Sequence, residues 1–297
     1  MSTKVAQILP AVDSTAVFKE NIFNGKVLFC TGGGSGICKG MTEAVMRHGA
    51  NATIVGRNLD RLNASAEELS KATGKVCLAA QADVRKPEQL RDAVAKTIEK
   101  YGRIDFVICG AAGNFLAPIS GLSENGFRTV LEIDTLGTYN TIKATMDHLR
   151  KSKVASKPNL VRLGTPYQVH VSAAKAALTI FISSPTVSNV VAVEEGPHGV
   201  RSNVIAPGPI AATEGMERLR PAFSGADKAI ISAAGREGDI RDCANAAVFL
   251  LSDAACHITG QVLPVDGGNM HLATTQLPYP QSVLDPDSTK SIIKPRL

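Results

Sequence analysis

Short apolar runs alternate with amphipathic stretches along most of the chain. "KVLFCT", residues 26–31, is a nearly unbroken apolar run of the kind found in a strand buried on both faces. "NATIVG" (51–56), "KVCLAAQADV" (75–84) and "RIDFVICG" (103–110) repeat the pattern, and helical periodicity fills 37–49, 60–73 and 87–101 between them. Further on, the pattern predicts a long helix over 124–150, a short strand over 159–163 and a helix over 168–182. A strand over 199–206, a helix over 239–252 and a last strand over 260–265 complete the series. Strands and helices recurring at roughly 25- to 30-residue spacing signal βαβ units, so an α/β chain with a seven-stranded, mostly parallel sheet is expected in a single domain over 25–270. Residues 1–24 carry no sustained period and read as an N-terminal extension. The Pro-rich segment "QLPYPQSVLDPDS" opens a tail over 271–297, expected to lie on the surface or to mediate assembly. There is no internal repeat or low-complexity segment.

Composition narrows the function classes. The 297 residues, 44% of them hydrophobic, suffice for a full core. Net charge is +5 without a long basic run, and aromatics make up 4% with no tryptophan, poor equipment for gripping nucleic acid. Cysteines 30, 38, 77, 109, 243 and 256 form no CxxC or CxxC–His arrangement, so neither a metal site nor a disulfide framework is indicated and a reducing compartment is expected. Pro10, Asp13 and Lys19 break the first apolar stretches, and no run approaches the ~18 apolar residues that span a bilayer, so a soluble protein without membrane insertion is expected.

"TGGGSGIC" (31–38) lies between the first strand and the first helix. There glycines permit a tight turn and helix-terminal N–H groups face a pyrophosphate, which makes Gly32, Gly33, Gly34, Ser35, Gly36 and Ile37 candidate cofactor contacts. Cys38 occupies the third glycine position of such patterns, and its small side chain should still let helix approach strand. The second strand ends in "IVGRNLDR", with Arg57 where an acid would accept from the ribose 2′-OH of NAD. Arg57, helped by Arg61 and Lys39, therefore favours the extra phosphate of NADPH, against the plainer reading of a solvated surface arginine. Asp83 and Val84 end the third strand and could hold the adenine, although a strand-ending Asp also serves as a helix cap.

Taken in order over residues 25–270, "TGGGSGI", "ADV", "GAAGN" (110–114), "SAAKAA" and "APGPI" (206–210) resemble the short-chain dehydrogenase/reductase family. "GAAGNF", "IDTLGT" (133–138), "QVHVSAAKAA", "APGPIAATEG" and "VDGG" are similar to its peroxisomal 2,4-dienoyl-CoA reductases. The resemblance implies a Rossmann-type, doubly wound fold, NADPH as cofactor, and reduction of dienoyl-CoA intermediates in the β-oxidation of unsaturated fatty acids. It also implies a homo-oligomer. Pro295-Arg296-Leu297 is similar to an SKL-type address, which makes a peroxisomal import receptor an expected partner and the cytoplasm the alternative location. By the same resemblance Ala111, Pro207, Gly208, Ile210 and Thr213 contact the cofactor. Asn114 and Phe115 would meet the thioester end, Arg57, Arg85 and Arg218 the CoA phosphates, and Ser123 and Asn125 would add substrate contacts.

The catalytic helix departs from the wider family. "QVHVSAAKAAL" (168–178) holds Lys175, but Val171 stands where a tyrosine usually protonates the oxygen of a carbonyl undergoing reduction. Carbon–carbon reduction forms no alkoxide. Hydride added at the far end of a dienoyl thioester sends charge to the thioester oxygen, and the α carbon then takes a proton. On this reading Lys175 orients the nicotinamide ribose. Asp134, where the family usually has asparagine, leads as proton relay, against the bland alternative of a helix Asp paired with a lysine. His170 and Tyr167 are placed to reach the pocket, His170 being as readily structural.

Two breaks flank that helix. "KPNLVRLGTPYQVH" compresses the preceding strand and loop, sets Arg162 in a central strand and leaves Thr165 as the nearest hydroxyl. "TIFISSPTVSNVVAVEEGP" interrupts the helix after "SAAKAAL" with Pro185. Misplaced exon boundaries and a divergent paralogue both account for this, and peptide mass spectrometry of the native protein for "TIFISSPT" separates them. Two functional alternatives follow: a related reductase acting on a carbonyl, or an inactive NADPH-binding relative.

Overall fold

The computed structural model describes residues 18–113, 115, 117, 119–152, 156–160, 187–213 and 232–272. Seven parallel strands form one sheet: β1 (Val27–Thr31), β2 (Asn51–Gly56), β3 (Cys77–Gln81), β4 (Phe106–Cys109), β5 (Ser156–Leu160), β6 (Arg201–Pro207) and β7 (Val262–Val265). Their order is β3-β2-β1-β4-β5-β6-β7, so the winding reverses between β1 and β4, and open sheets of this kind bind ligands in the crevice at that reversal. The helices are α1 (Gly36–Arg47), α2 (Leu59–Thr73), α3 (Pro87–Tyr101), α4 (Glu124–Leu131), α5 (Gly137–Ser152), α6 (Val187–Glu195), α7 (Ile240–Leu251) and α8 (Asn269–Leu272). The expected α/β, doubly wound fold is therefore present.

Strand alternation distributes the core over both faces. Leu28 and Cys30 of β1, with Phe106 and Ile108 of β4, pack against α1, α2 and α7. Phe29, Val107 and Cys109 face the opposite way, onto α3 and α5. Central strands are thus apolar at successive positions, which is why they read as continuous runs. Local chemistry sets the helix limits. Asn58 caps α2 by accepting the Arg61 amide at 2.9 Å, and Asp239 and Asp242 form a reciprocal capping box at the start of α7. Pro87 opens α3, which closes at Gly102 in the left-handed conformation (φ +75°). At the edge of the sheet away from the crevice, buried Asp105 accepts the Val27 amide at 2.9 Å and pairs with Arg103 and Ser152, joining β1, β4 and α5.

Several expectations need correction. The strand expected over 159–163 is Ser156–Leu160, in register with Phe106 and Cys109 of β4 and with Arg201 to Ile205 of β6. Arg162, expected at its centre, lies outside the described residues. Its sequence, "SKPNL", has no apolar pattern, and Pro158 removes a ladder donor, so periodicity could not find it. The long helix over 124–150 is α4 and α5 joined by a π turn, Glu132–Leu136. Helix α6 was not anticipated. Pro185, expected to interrupt the helix that precedes it in sequence, lies outside the described residues.

Candidate active site

The turn after β1 and the turn after β4 are tied together at the reversal point. Thr31 Oγ1 accepts the amides of Gly110 at 3.2 Å and Ala111 at 3.4 Å, and donates to Ile108 O at 3.4 Å. Gly32 adopts φ +72°, and a Cβ there would stand 2.6 Å from Gly110 O, so the position demands glycine on both counts. Ser65 of α2 donates to Gly34 O at 2.8 Å and holds the loop from above. Ser35 is the N-cap of α1, yet its side chain caps no amide and the first turn contains no acid. The N–H groups of Gly36 and Ile37 are thereby left for an incoming anion.

Cys38 behaves as expected of a small residue, and the reason lies across the seam. Its sulfur sits 3.7 Å from Gly110 O, and a Cβ on Gly110 would fall 2.1 Å from that sulfur. The side chain that α1 carries is accommodated by the one that the β4 turn lacks.

At the end of β2 a cleft of about 450 Å³ is lined by Arg57, Gln81, Ala82, Asp83 and Gln89. Gln81 Nε2 donates to Arg57 O at 2.8 Å, fixing the backbone from which the exposed guanidinium projects. The stem of Arg61 lies over the glycine loop, 3.8 Å from where a Cβ on Gly34 would be. Lys39 is a different matter. Its ammonium is paired with the exposed Glu68 of α2.

Asp83 is not the cap of α3, whose N-cap is Lys86. Its amide donates to Gln89 Oε1 at 2.8 Å, while its carboxylate accepts the Arg85 amide at 3.0 Å and clasps the Arg85 side chain. The Arg85 guanidinium, outweighing the effect of burial, holds the Asp83 carboxyl below the usual carboxylate range, with a further contribution from Arg57. Buried Val84 is pinned by α5: Asn140 Nδ2 donates to Val84 O at 3.0 Å, and a Cβ on Gly137 would come within 2.5 Å of Val84 Cγ2. Sequence reasoning missed Ser65, Gly137 and Asn140, since each acts across elements far apart in the chain.

Asp134 occupies the middle of the π turn, 1% exposed, and its Oδ1 accepts the Gly113 amide at 2.7 Å. The side chain is buried rather than facing solvent. Turns of this type recur at functional sites because they redirect a side chain that a regular helix would place elsewhere. Here the redirected carboxylate meets the loop that leaves β4. Phe115 packs against Val130 and beside Gly126 of α4. Ser123 caps α4, accepting the Gly126 amide at 3.1 Å, and Asn125 is exposed on the first turn. Beyond β6, Gly208 donates to Val265 O at 3.0 Å and lies so close to Asp266 Cα that a Cβ would fall 2.7 Å from it. Ile210, three residues past Pro207, bridges to Gly238, and Thr213 Oγ1 donates to Ile210 O at 3.0 Å. Lys175, His170, Asn114 and Arg218, with Val171 and Tyr167, lie outside the described residues.

Residues 32–270 match the family model described as enoyl-(acyl carrier protein) reductase. A peroxisomal 2,4-dienoyl-CoA reductase, (3E)-enoyl-CoA-producing, of Saccharomyces cerevisiae is 44% identical over 264 residues, covering 86% of this chain and 88% of that protein. The chain belongs to the short-chain dehydrogenase/reductase family. Another peroxisomal 2,4-dienoyl-CoA reductase, from Danio rerio, is 41% identical over 86% of this chain and 84% of its own length. Among solved structures, a short-chain type dehydrogenase/reductase from Mycobacterium ulcerans superposes with a TM-score of 0.77 at 28% identity, covering 91% of this chain and 98% of that one. As a short-chain dehydrogenase/reductase the protein takes a nicotinamide cofactor, and the residues present fit one: the glycine turn, the start of α1 without a side-chain cap and the cleft beside Arg57 lie at the carboxyl ends of β1 and β2. Among the described residues no helix is long and apolar enough to cross a membrane, and no cluster of three or more His, Cys, Asp or Glu is suited to a metal.

Proposed function

We propose that the protein reduces 2,4-dienoyl-CoA to 3-enoyl-CoA with NADPH, in the peroxisome. The observation that carries this is the 44% identity, sustained over 86% of the chain, to a 2,4-dienoyl-CoA reductase named as peroxisomal and (3E)-enoyl-CoA-producing. Two local features support it. Val171 stands where carbonyl reduction wants a phenol, and Asp134 is a buried carboxylate against the loop after β4.

The cofactor, when bound, supplies a hydride to the far carbon of the conjugated thioester. The electrons displaced by that addition come to rest as a dienolate, its charge on the thioester oxygen. Protonation at the α carbon then leaves the remaining double bond between carbons 3 and 4. Asp134 holds Gly113, and with it the "GAAGN" loop, at the crevice, and relays the α proton through water. Asn114, next in that loop, and His170 line the acyl end, and Lys175 orients the nicotinamide ribose. Arg57 donates to the 2′-phosphate of NADPH.

Loss of NADPH absorbance on adding a 2,4-dienoyl-CoA, with the product identified as the 3-enoyl thioester, tests the reading. Inertness toward 3-oxoacyl-CoA is expected alongside. Ready reduction of ketones with dienoyl thioesters untouched would overturn it, and NADPH binding without turnover of either would assign an inactive relative.

A further inference from the structure

Two glutamines line the cleft at the ends of β2 and β3, and the backbone fixes one end of each carboxamide. Gln81, the last residue of β3, donates from Nε2 to Arg57 O at 2.8 Å. Gln89, in the first turn of α3, accepts the Asp83 amide on Oε1 at 2.8 Å. A carbonyl only accepts and an amide N–H only donates, so chemistry settles which end of each side chain is which. The ends left over are opposite in kind. Gln81 keeps an acceptor, Oε1, and Gln89 a donor, Nε2, neither with a hydrogen-bond partner among the described residues. The other polar groups of the cleft are committed differently. Both Asp83 carboxylate oxygens are bonded to Arg85, and the exposed Arg57 carries a charge suited to phosphate.

We infer that Gln81 and Gln89 read the adenine base of the cofactor: Gln81 Oε1 accepts from the exocyclic amine, and Gln89 Nε2 donates to the neighbouring ring nitrogen, N1. The edge that carries these two groups is the one opposite the sugar, whose 2′-phosphate belongs to Arg57 in the reading above. Adenine sets a donor beside an acceptor there, whereas hypoxanthine offers the reverse, a carbonyl oxygen beside an N–H. A carboxamide free at both ends samples many rotamers and must be ordered each time a ligand binds. Here the backbone imposes that order beforehand. The inference rests on the reading of this cleft as the dinucleotide site and deepens it, adding recognition of the base where Arg57 recognises phosphate.

Equilibrium binding of NADPH and of its hypoxanthine analogue, followed by cofactor fluorescence, tests this without requiring turnover. The two cofactors differ only at the base edge, so the ratio of their dissociation constants cancels effects on the phosphates and on the fold. Wild type should prefer NADPH by about ten- to a hundredfold, the discrimination expected of a two-point match to one base edge. Gln81→Ala and Gln89→Ala should each weaken NADPH about tenfold, the worth of one hydrogen bond, and shrink the preference by a similar factor. Gln89→Glu keeps an oxygen for the Asp83 amide but exchanges the donor for an acceptor. It should bring the hypoxanthine analogue level with NADPH or ahead of it, and this variant serves equally should Gln89→Ala fail to fold. A wild type indifferent to the base would overturn the inference. So would variants that weaken both cofactors by one factor, which would reduce the glutamines to supports of the backbone. If wild type prefers NADH, the 2′-phosphate reading alone has failed, and NADH with its own hypoxanthine analogue decides the role of the glutamines. If it binds no dinucleotide, the cofactor reading has failed and the inference falls with it.

Discussion

Replacing Asp134 by asparagine separates what this side chain does for the fold from what it does for the reaction. Its Oδ1 accepts the Gly113 amide at 2.7 Å in a site 1% exposed to solvent. An asparagine oxygen can accept the same bond, exchanging a charged acceptor for a neutral one at a cost of about 1 kcal/mol. It cannot pass a proton. General acid–base participation is worth roughly 10²- to 10⁴-fold, or about 3–5 kcal/mol of barrier. Asp134→Asn should therefore bind NADPH as wild type does and unfold within a few degrees of it, while kcat for dienoyl-CoA falls at least about a hundredfold. Asp134→Ala removes the acceptor as well, leaving the half-buried Gly113 amide without its partner at about 1–3 kcal/mol, so stability and kcat should fall together. Cofactor fluorescence, thermal unfolding and steady-state NADPH oxidation on the three proteins read these effects separately. If Asp134→Asn keeps kcat within roughly threefold of wild type, the proton travels by another route and Asp134 merely holds the loop.

Arg57→Ala should raise KM for NADPH by about 10- to 100-fold, the worth of one charged hydrogen bond, and leave KM for NADH nearly unchanged; an equal effect on both cofactors would remove Arg57 from the 2′-phosphate. Gly137→Ala would place a Cβ 2.5 Å from Val84 Cγ2, and the resulting overpacking should cost about 1–3 kcal/mol in urea unfolding and weaken NADPH binding through the displaced Val84. Full stability and affinity in that variant would show α5 free to shift. Arg236 holds the Asp242 carboxyl below its ordinary range, aided by the Asp239 amide. Because the folded value is the lower one, the contribution is complete above the unfolded pKa of about 3.9 and is lost as pH falls through the folded value. Wild type should thus outlast Asp242→Asn in urea at neutral pH, with the gap closing below about pH 4; a gap that persists undiminished in strong acid would contradict the linkage.

How far the sequence could be read depended on whether the relevant physics was local. Strand β2 and helix α3 emerge with the limits expected of them, since Gly56 ends one and Pro87 and Gly102 bracket the other. Strand β5 has no such signal: its backbone pairs on both sides, but the residues that do so are "SKPNL". The π turn is equally silent, because a change from one hydrogen-bond spacing to another leaves no compositional mark on "EIDTL". Within the site, the glycine turn and Arg57 were legible as positions in a βαβ unit. The clasp of Asp83 on Arg85 and the grip of Gly137 and Asn140 on Val84 were not, since they are contacts between side chains that share no periodicity.

Motif departures in this chain are of two physical kinds, and the structure separates them. Cys38 breaks a glycine pattern whose purpose is closeness of helix to strand, and closeness depends on the summed bulk of both partners, so the bare Cα of Gly110 restores it. Such a change has a neighbour that absorbs it and carries no message about the reaction. A phenol replaced by valine at 171 is otherwise, because no repacking supplies an ionisable oxygen. Either catalysis is lost or the chemistry never required that group. The identity to dienoyl-CoA reductases argues for the second, and on that argument the acid-base work moves from the lysine helix to the π turn, where Asp134 is buried beside the loop from β4.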